Sequence, residues 1–249
     1  MTMKKILLAG ESWISYTTHI KGFDSFYTTH QGDGAKQLIS VLTEGGYEIT
    51  YLTNETAAEN FPFTMEELDG FDAVILSDIG SNTLLLSAGT FARSEFLPDR
   101  CELLRDYVHK GGALCMIGGY LSFTGIDAKA RYGQTAIADV LPVKMLDIDD
   151  RNETPKGVVP EILIKDHPAL EGVESNWPRF LGYNRTVAKP GSTVIATIEG
   201  DPFIAVGDYG KGRAAIFASD CAPHWGSNEF MEWKSYAKLW TNLAKWLCG

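Results

Sequence analysis

Short, unbroken apolar runs alternate with helix-spaced segments through the first half of this chain. Residues 4–9, 47–52, 71–77 and 113–117 each read as strands buried on both faces. Between the first two, Leu38, Ile39 and Leu42 recur at helical spacing over 35–43, and Gly45-Gly46 closes that helix. Thr64 and Glu67 form a capping box at the start of a short helix. Leu103, Leu104, Tyr107 and Val108 give an apolar face to a helix over 100–109, ended by Gly111-Gly112. Residues 11–29 read as a polar, aromatic-rich loop, and Ser81-Asn82-Thr83 as a polar turn. Strands alternating with helices predict a parallel sheet with right-handed crossovers.

The second half changes pattern. Residues 158–164, 186–188, 192–198, 203–208 and 213–218 are strand-like runs separated by Pro, Gly and Asp turns, and Tyr209-Gly210-Lys211-Gly212 signals a hairpin. A helix between 230 and 247 ends the chain, its apolar stripe Trp233, Tyr236, Ala237, Trp240, Leu243, Ala244 and Leu247. The expected fold is a three-layer α/β/α flavodoxin-like sandwich over residues 1–249, one domain, with a mostly parallel central sheet and antiparallel additions from the second half. Ligands on such sheets bind outside the carboxyl ends of the strands. The loops beginning at Glu11, Asp78, Gly118 and the end of the last strand therefore converge.

Composition narrows the partners. Of 249 residues, 22 are Lys or Arg and 32 Asp or Glu, a formal net charge of −10. An acidic surface disfavours nucleic acid and anionic membranes. Two lysines precede the first apolar run, but that run is far shorter than a signal-peptide core and reads as a strand. Cys101, Cys115, Cys221 and Cys248 follow no framework spacing, which suits reduced thiols in a cytoplasm. His19, His167 and His224 lack the spacing of a zinc site. No metal and no cofactor is expected. Asp147-Ile148-Asp149-Asp150-Arg151 reads as a solvated loop.

The stretch Gly118-Gly119-Tyr120-Leu121-Ser122 has the small flanking residues of a strand-to-helix nucleophile elbow, with a phenol at the apex. With Gly10-Glu11-Ser12-Trp13, His19-Ile20-Lys21-Gly22-Phe23-Asp24, Leu76-Ser77-Asp78-Ile79-Gly80, Asp149-Asp150-Arg151, Asp166-His167-Pro168 and Ser219-Asp220-Cys221-Ala222-Pro223-His224-Trp225, it gives the chain a resemblance. The chain resembles the class I glutamine amidotransferase-like superfamily, and within it the uncharacterised bacterial family related to trehalose-utilisation-type proteins. Enzymes of that superfamily use an elbow Cys, with a His and a Glu two residues apart after a late strand. Here Tyr120 falls at the Cys position, His224 at the His position and Gly226 at the Glu position. The resemblance thus implies the fold and the place of a site, without the thiol chemistry of a glutaminase.

An unperturbed phenol is almost wholly protonated at neutral pH, so Tyr120 is expected to bond or stack on a ligand, or to exchange protons with His224. Glu11, Trp13, Asp78, Gly118, Gly119 and Asp220 are expected to line the same small-molecule site. Cys221 and Cys115 read as buried structural thiols. The segment holding Trp13, Tyr16, His19, Lys21, Phe23, Asp24, Phe26 and Tyr27 suits a ligand lid or a subunit contact. With the Trp-rich C-terminal helix, it is the basis for expecting a homo-oligomer. A hydrolase or lyase using Tyr120 and His224, and a scaffold protein, are the alternative functions.

Overall fold

The computed structural model describes residues 3–249. β1 (Lys4–Gly10) is buried from Ile6 onward. Immediately after Glu11 the chain leaves the sheet as a hairpin, β2 (Ser12–Lys21) and β3 (Asp24–Asp33), turning at Gly22-Phe23. This replaces the loop expected over 11–29. Its Thr, Tyr, Ile and Phe content favours strands, yet nearly all of it is exposed, so no buried face marks it in the sequence.

α1 (Lys36–Glu44) and β4 (Tyr47–Leu52) follow. Thr53 caps α2 (Asn54–Asn60), and the expected capping box forms at α3 (Met65–Leu68), where Glu67 Oε2 accepts from the Thr64 amide at 3.1 Å. β5 (Ala73–Ser77) is wholly buried. Where a polar turn was expected stand two short helices, α4 (Ser81–Leu85) and α5 (Ala88–Arg93), the second capped by Ser87. Asp99 caps α6 (Arg100–Lys110), and Gly111 at φ +132° ends it before β6 (Ala113–Ile117).

No α-helix directly follows β6. The expected strand-to-helix elbow is a strand-to-turn bend that runs into a 3-10 turn at Ile126–Ala128. Positive φ falls on Gly119 and Phe123, not on Tyr120. The charge run expected to be solvated instead meets this bend. Asp150 is fully buried, and its carboxylate accepts from the Thr124 amide at 2.8 Å, the Gly125 amide at 3.0 Å and Asn184 Nδ2 at 2.9 Å. Those two amides are tied to Asp150 across the molecule.

Then come α7 (Ile137–Val140), β7 (Val143–Met145), β8 (Arg151–Val158), β9 (Glu161–Ile162), β10 (Phe180–Asn184), β11 (Thr186–Ala188), β12 (Thr193–Ile198), β13 (Asp201–Tyr209) and β14 (Gly212–Phe217). The strand expected over 158–164 is divided between β8 and β9. The expected C-terminal helix is divided into α8 (Asn228–Met231) and α9 (Tyr236–Cys248). On α9, Leu239 is buried and Ala237 exposed, otherwise the expected stripe holds.

The central sheet has eight strands in the order β4-β1-β5-β6-β14-β13-β12-β9. The first five are parallel, and β13, β12 and β9 add antiparallel. α1 and α9 pack together on one face, while α2, α4, α6 and α7 form a contiguous layer of their own. The mixed α/β sandwich is thus the expected one. The aromatic rings of Phe180, Phe203, Phe217, Phe230 and Trp240 interlock at centroid distances from 4.7 to 5.8 Å beneath the antiparallel half. Among the described residues no helix is long and apolar enough to cross a membrane.

Candidate functional site

Four neighbouring strands, β1, β5, β6 and β14, end side by side, and each delivers polar groups to the same edge. Glu11 follows β1 at φ +56°, and Asp78 follows β5 at φ +44°. Left-handed backbone at a non-glycine residue costs about 1–3 kcal/mol and persists only where its surroundings enforce it. The enforcement is visible here. Glu11 N–H donates to the Ser77 carbonyl at 2.7 Å, and the Asp78 carbonyl accepts from Asn54 Nδ2 at 3.0 Å.

Glu11 and Asp220 are 2% and 5% exposed. The Ser77 hydroxyl donates to Glu11 Oε2 at 2.5 Å, and the Cys221 thiol donates to the same oxygen at 3.6 Å. Desolvation, then the charge of Asp78, pushes the Glu11 carboxyl up to about 7. Desolvation and the neighbouring Glu11 push Asp220 well above the carboxylate range. Two buried carboxyls in mutual contact cannot both ionise cheaply, so the pair holds a proton at neutral pH. Asp220 Oδ1 is buried without a hydrogen-bond partner.

Glu11, Asp220 and Cys221 each place one donor atom within 4.8 Å of the others, the set best able to hold a cation among the described residues. Burial also pushes the Cys221 thiol well up. In the protein alone all three groups favour their neutral forms. Burial raises Cys115 to about 12, and it too is an inert core thiol.

Above this floor lies the bend after β6. Gly118 and Gly119 are both required by close approach. A Cβ on Gly118 would meet the Ala218 carbonyl at 2.6 Å, and one on Gly119, at φ +147°, would meet Asp78 at 2.8 Å. Asn184 clamps the Gly119 peptide from both sides, accepting from its N–H at 2.9 Å and donating to its carbonyl at 3.1 Å. Asp78 Oδ1 accepts from the Leu121 amide at 2.6 Å. Burial raises the Asp78 pKa, opposed by that amide and by the nearby His224.

The Tyr120 and His224 rings meet edge to face with centroids 4.7 Å apart. The Tyr120 hydroxyl donates to Glu153 Oε1 at 2.9 Å, and the Trp225 indole N–H donates to Glu153 Oε2 at 3.0 Å. The Arg151 guanidinium lies 4.8 Å from the Tyr120 centroid. Desolvation and Glu153 both raise the Tyr120 pKa. A phenol held this way donates a hydrogen bond and is not an anionic nucleophile. His224 is exposed, with no hydrogen-bond partner in the protein among the described residues. The Glu of an amidotransferase triad has no space here, because a Cβ on Gly226 would sit 2.5 Å from the Ala222 carbonyl.

The structure therefore brings Tyr120, His224, Asp78, Gly118 and Gly119 together over the Glu11–Asp220 pair. Trp13 stands on the hairpin, its indole lying over Gly32. Sequence reasoning missed Glu153, Arg151, Asn184 and Asp150. Only the Asp149-Asp150-Arg151 charge run hinted at them. Beside the bend, a groove of about 440 Å³ is lined by Gly80, Asn82, Thr83, Leu121, Lys129 and Arg131 among others.

A family described as "Putative glutamine amidotransferase" matches residues 5–249. Cytoplasmic Protein STM3548 from Salmonella typhimurium is 45% identical, with TM-score 0.94, over 97% of this chain and 98% of that one. Cytoplasmic Protein STM1381 from Salmonella typhimurium LT2 is 47% identical, also at 0.94, over 98% and 99%. A thua-like protein from Bacteroides uniformis shares the fold at 12% identity and TM-score 0.51, over 96% of this chain and 91% of that one. A comparison with curated proteins gives no match. The chain belongs to the family of glutamine amidotransferase-like proteins matched over residues 5–249.

Proposed function

Starting from that membership, we propose that this is a cytoplasmic small-molecule-binding protein whose site lies at the carboxyl ends of β1, β5, β6 and β14, and that it is not a thiol glutaminase. One observation carries the reading: the elbow position holds a phenol whose hydroxyl is already donated to Glu153, 4.7 Å ring to ring from an exposed imidazole. Tyr120 supplies aromatic surface, and His224 and Asp78 supply polar groups. The protonated Glu11–Asp220 pair beneath keeps the strand ends uncharged enough to stay buried. Such a lining suits a compact metabolite rich in hydroxyl or amino groups, a sugar or amino-acid derivative. The cytoplasmic placement is supported by the Salmonella relatives and the free thiols.

Thermal-shift screening with sugars, polyols and amino acids tests this. A stabilising compound should lose its effect in Asp78→Asn and His224→Ala. Equal stabilisation of both variants, or no stabilising compound at all, contradicts the reading.

A second reading, a hydrolase or lyase, is favoured by one contact. Glu153 lies within proton-transfer reach of the Tyr120 hydroxyl at 2.9 Å. Tyr120→Phe would then abolish turnover of any substrate found while preserving its binding. Unchanged turnover in that variant removes this reading.

A further inference from the structure

The β2–β3 hairpin is a free-standing ribbon of two ten-residue strands, roughly 30 Å long at about 3.4 Å per residue. Among the described residues it pairs with no third strand. Isolated two-stranded ribbons are marginal in water and need a packed face. Its root is nevertheless fixed. The Ser12 hydroxyl accepts from the Asn54 amide at 2.8 Å, and Asp33 accepts from the Tyr51 hydroxyl at 3.1 Å.

The two faces differ. The pairing His19↔Phe26 and Lys21↔Asp24 puts those four residues with Trp13 on one face. That face satisfies itself: His19 stacks on Phe26 at 4.5 Å, bonds Thr28 at 3.0 Å, and Lys21 lies over the Phe26 ring. The opposite face is formed by Ile14, Tyr16, Thr18 and Ile20 against Gln31, Thr29, Tyr27 and Ser25. None of these eight carries a charge, in a chain of net charge −10. Tyr16, Ile20 and Tyr27 are 75%, 75% and 73% exposed, and no aromatic contact occupies them among the described residues.

We infer that this uncharged face is a homodimer interface, seated against the same face of a second copy around a two-fold axis. The area fits that occupant. Aromatic side chains bury roughly 150–250 Å² each. Tyr16, Tyr27 and the tip residue Phe23, with Ile14, Ile20 and the intervening threonines, therefore offer on the order of 600–800 Å². A stable interface needs about 800 Å² per partner, so this face supplies most or all of it. Absence of charge suits a self-complementary contact, because like charges meeting across a two-fold would repel. The Trp-rich C-terminal helix does not contribute, since its stripe is spent in the core.

Sedimentation equilibrium of the full chain at micromolar concentration tests the inference. The native sequence should run as a dimer. The double substitution Ile20→Lys with Tyr27→Glu should weaken it at least about a hundredfold, as two central anchors lost from each copy would. Thr17→Lys with Thr28→Glu, on the opposite face, should leave it intact, with circular dichroism confirming the fold of both. Should the first pair misfold, oxidative cross-linking decides: Thr18→Cys should give a covalent dimer and Thr17→Cys should not. A monomeric native chain overturns the inference. So does a dimer that survives the first pair, or one cross-linked by Thr17→Cys and not by Thr18→Cys.

Discussion

Replacing Glu11 by Gln should make the protein's stability less dependent on pH. The Glu11 carboxyl is raised from 4.5 to about 7, chiefly by desolvation. The native state thus binds a proton that the unfolded chain has released between those values, and stability falls as pH rises through that window. Below about 4.5 both states are protonated and the contribution is fully present. Above about 7 it is gone. A shift of that size corresponds to about 3 kcal/mol at 1.36 kcal/mol per pK unit, of which about 2–3 kcal/mol lies between pH 5 and 8. Gln keeps an oxygen to accept from Ser77 and an amide N–H that can donate to Asp220, without ever ionising. Chemical denaturation at pH 5 and pH 8 reads the effect. Relative to Glu11→Gln, the native sequence should lose about 2–3 kcal/mol on going to pH 8, roughly 5–10 °C in Tm for a chain of this size. An unchanged difference between the two proteins at both pH values would refute the protonated pair.

Gly119→Ala should lower stability by about 2–4 kcal/mol, since it combines φ +147° with a 2.8 Å contact on Asp78, and a urea melt measures it. Asp150→Ala should cost at least about 3 kcal/mol, because it strands the buried amides of Thr124 and Gly125 and the Asn184 side chain. By contrast, Tyr120→Phe removes a single hydrogen bond at a partly exposed position and should change Tm by no more than about 1 kcal/mol's worth. Thiol titration of the native protein at pH 8 should find Cys101, Cys115 and Cys221 unreactive until denaturant is added, because burial raises all three.

The strands that build the sheet were legible because burial on both faces leaves an unbroken apolar run. The hairpin was not, because a ribbon exposed on both faces carries no such run. Asp150 was misread for a related reason. A charge cluster resembles solvated loop unless the amides that will meet its carboxylate are known, and those lie 25 and 26 residues upstream. The meeting of Tyr120 and His224 could be anticipated, since both follow strands on one edge of a parallel sheet. Glu153 could not, because its position depends on β8 pairing with β10, and 158–164 looked like the better strand.

The most direct test of a non-thiol ligand site is the imidazole signal of His224 in a proton–carbon NMR spectrum, assigned through His224→Asn. Compounds that raise the Tm of the protein should shift that resonance at matching concentrations, and should fail to do so in Asp78→Asn. A stabilising compound that leaves the His224 signal unmoved, or glutamine hydrolysed at a rate that Cys221→Ala abolishes, would contradict the account.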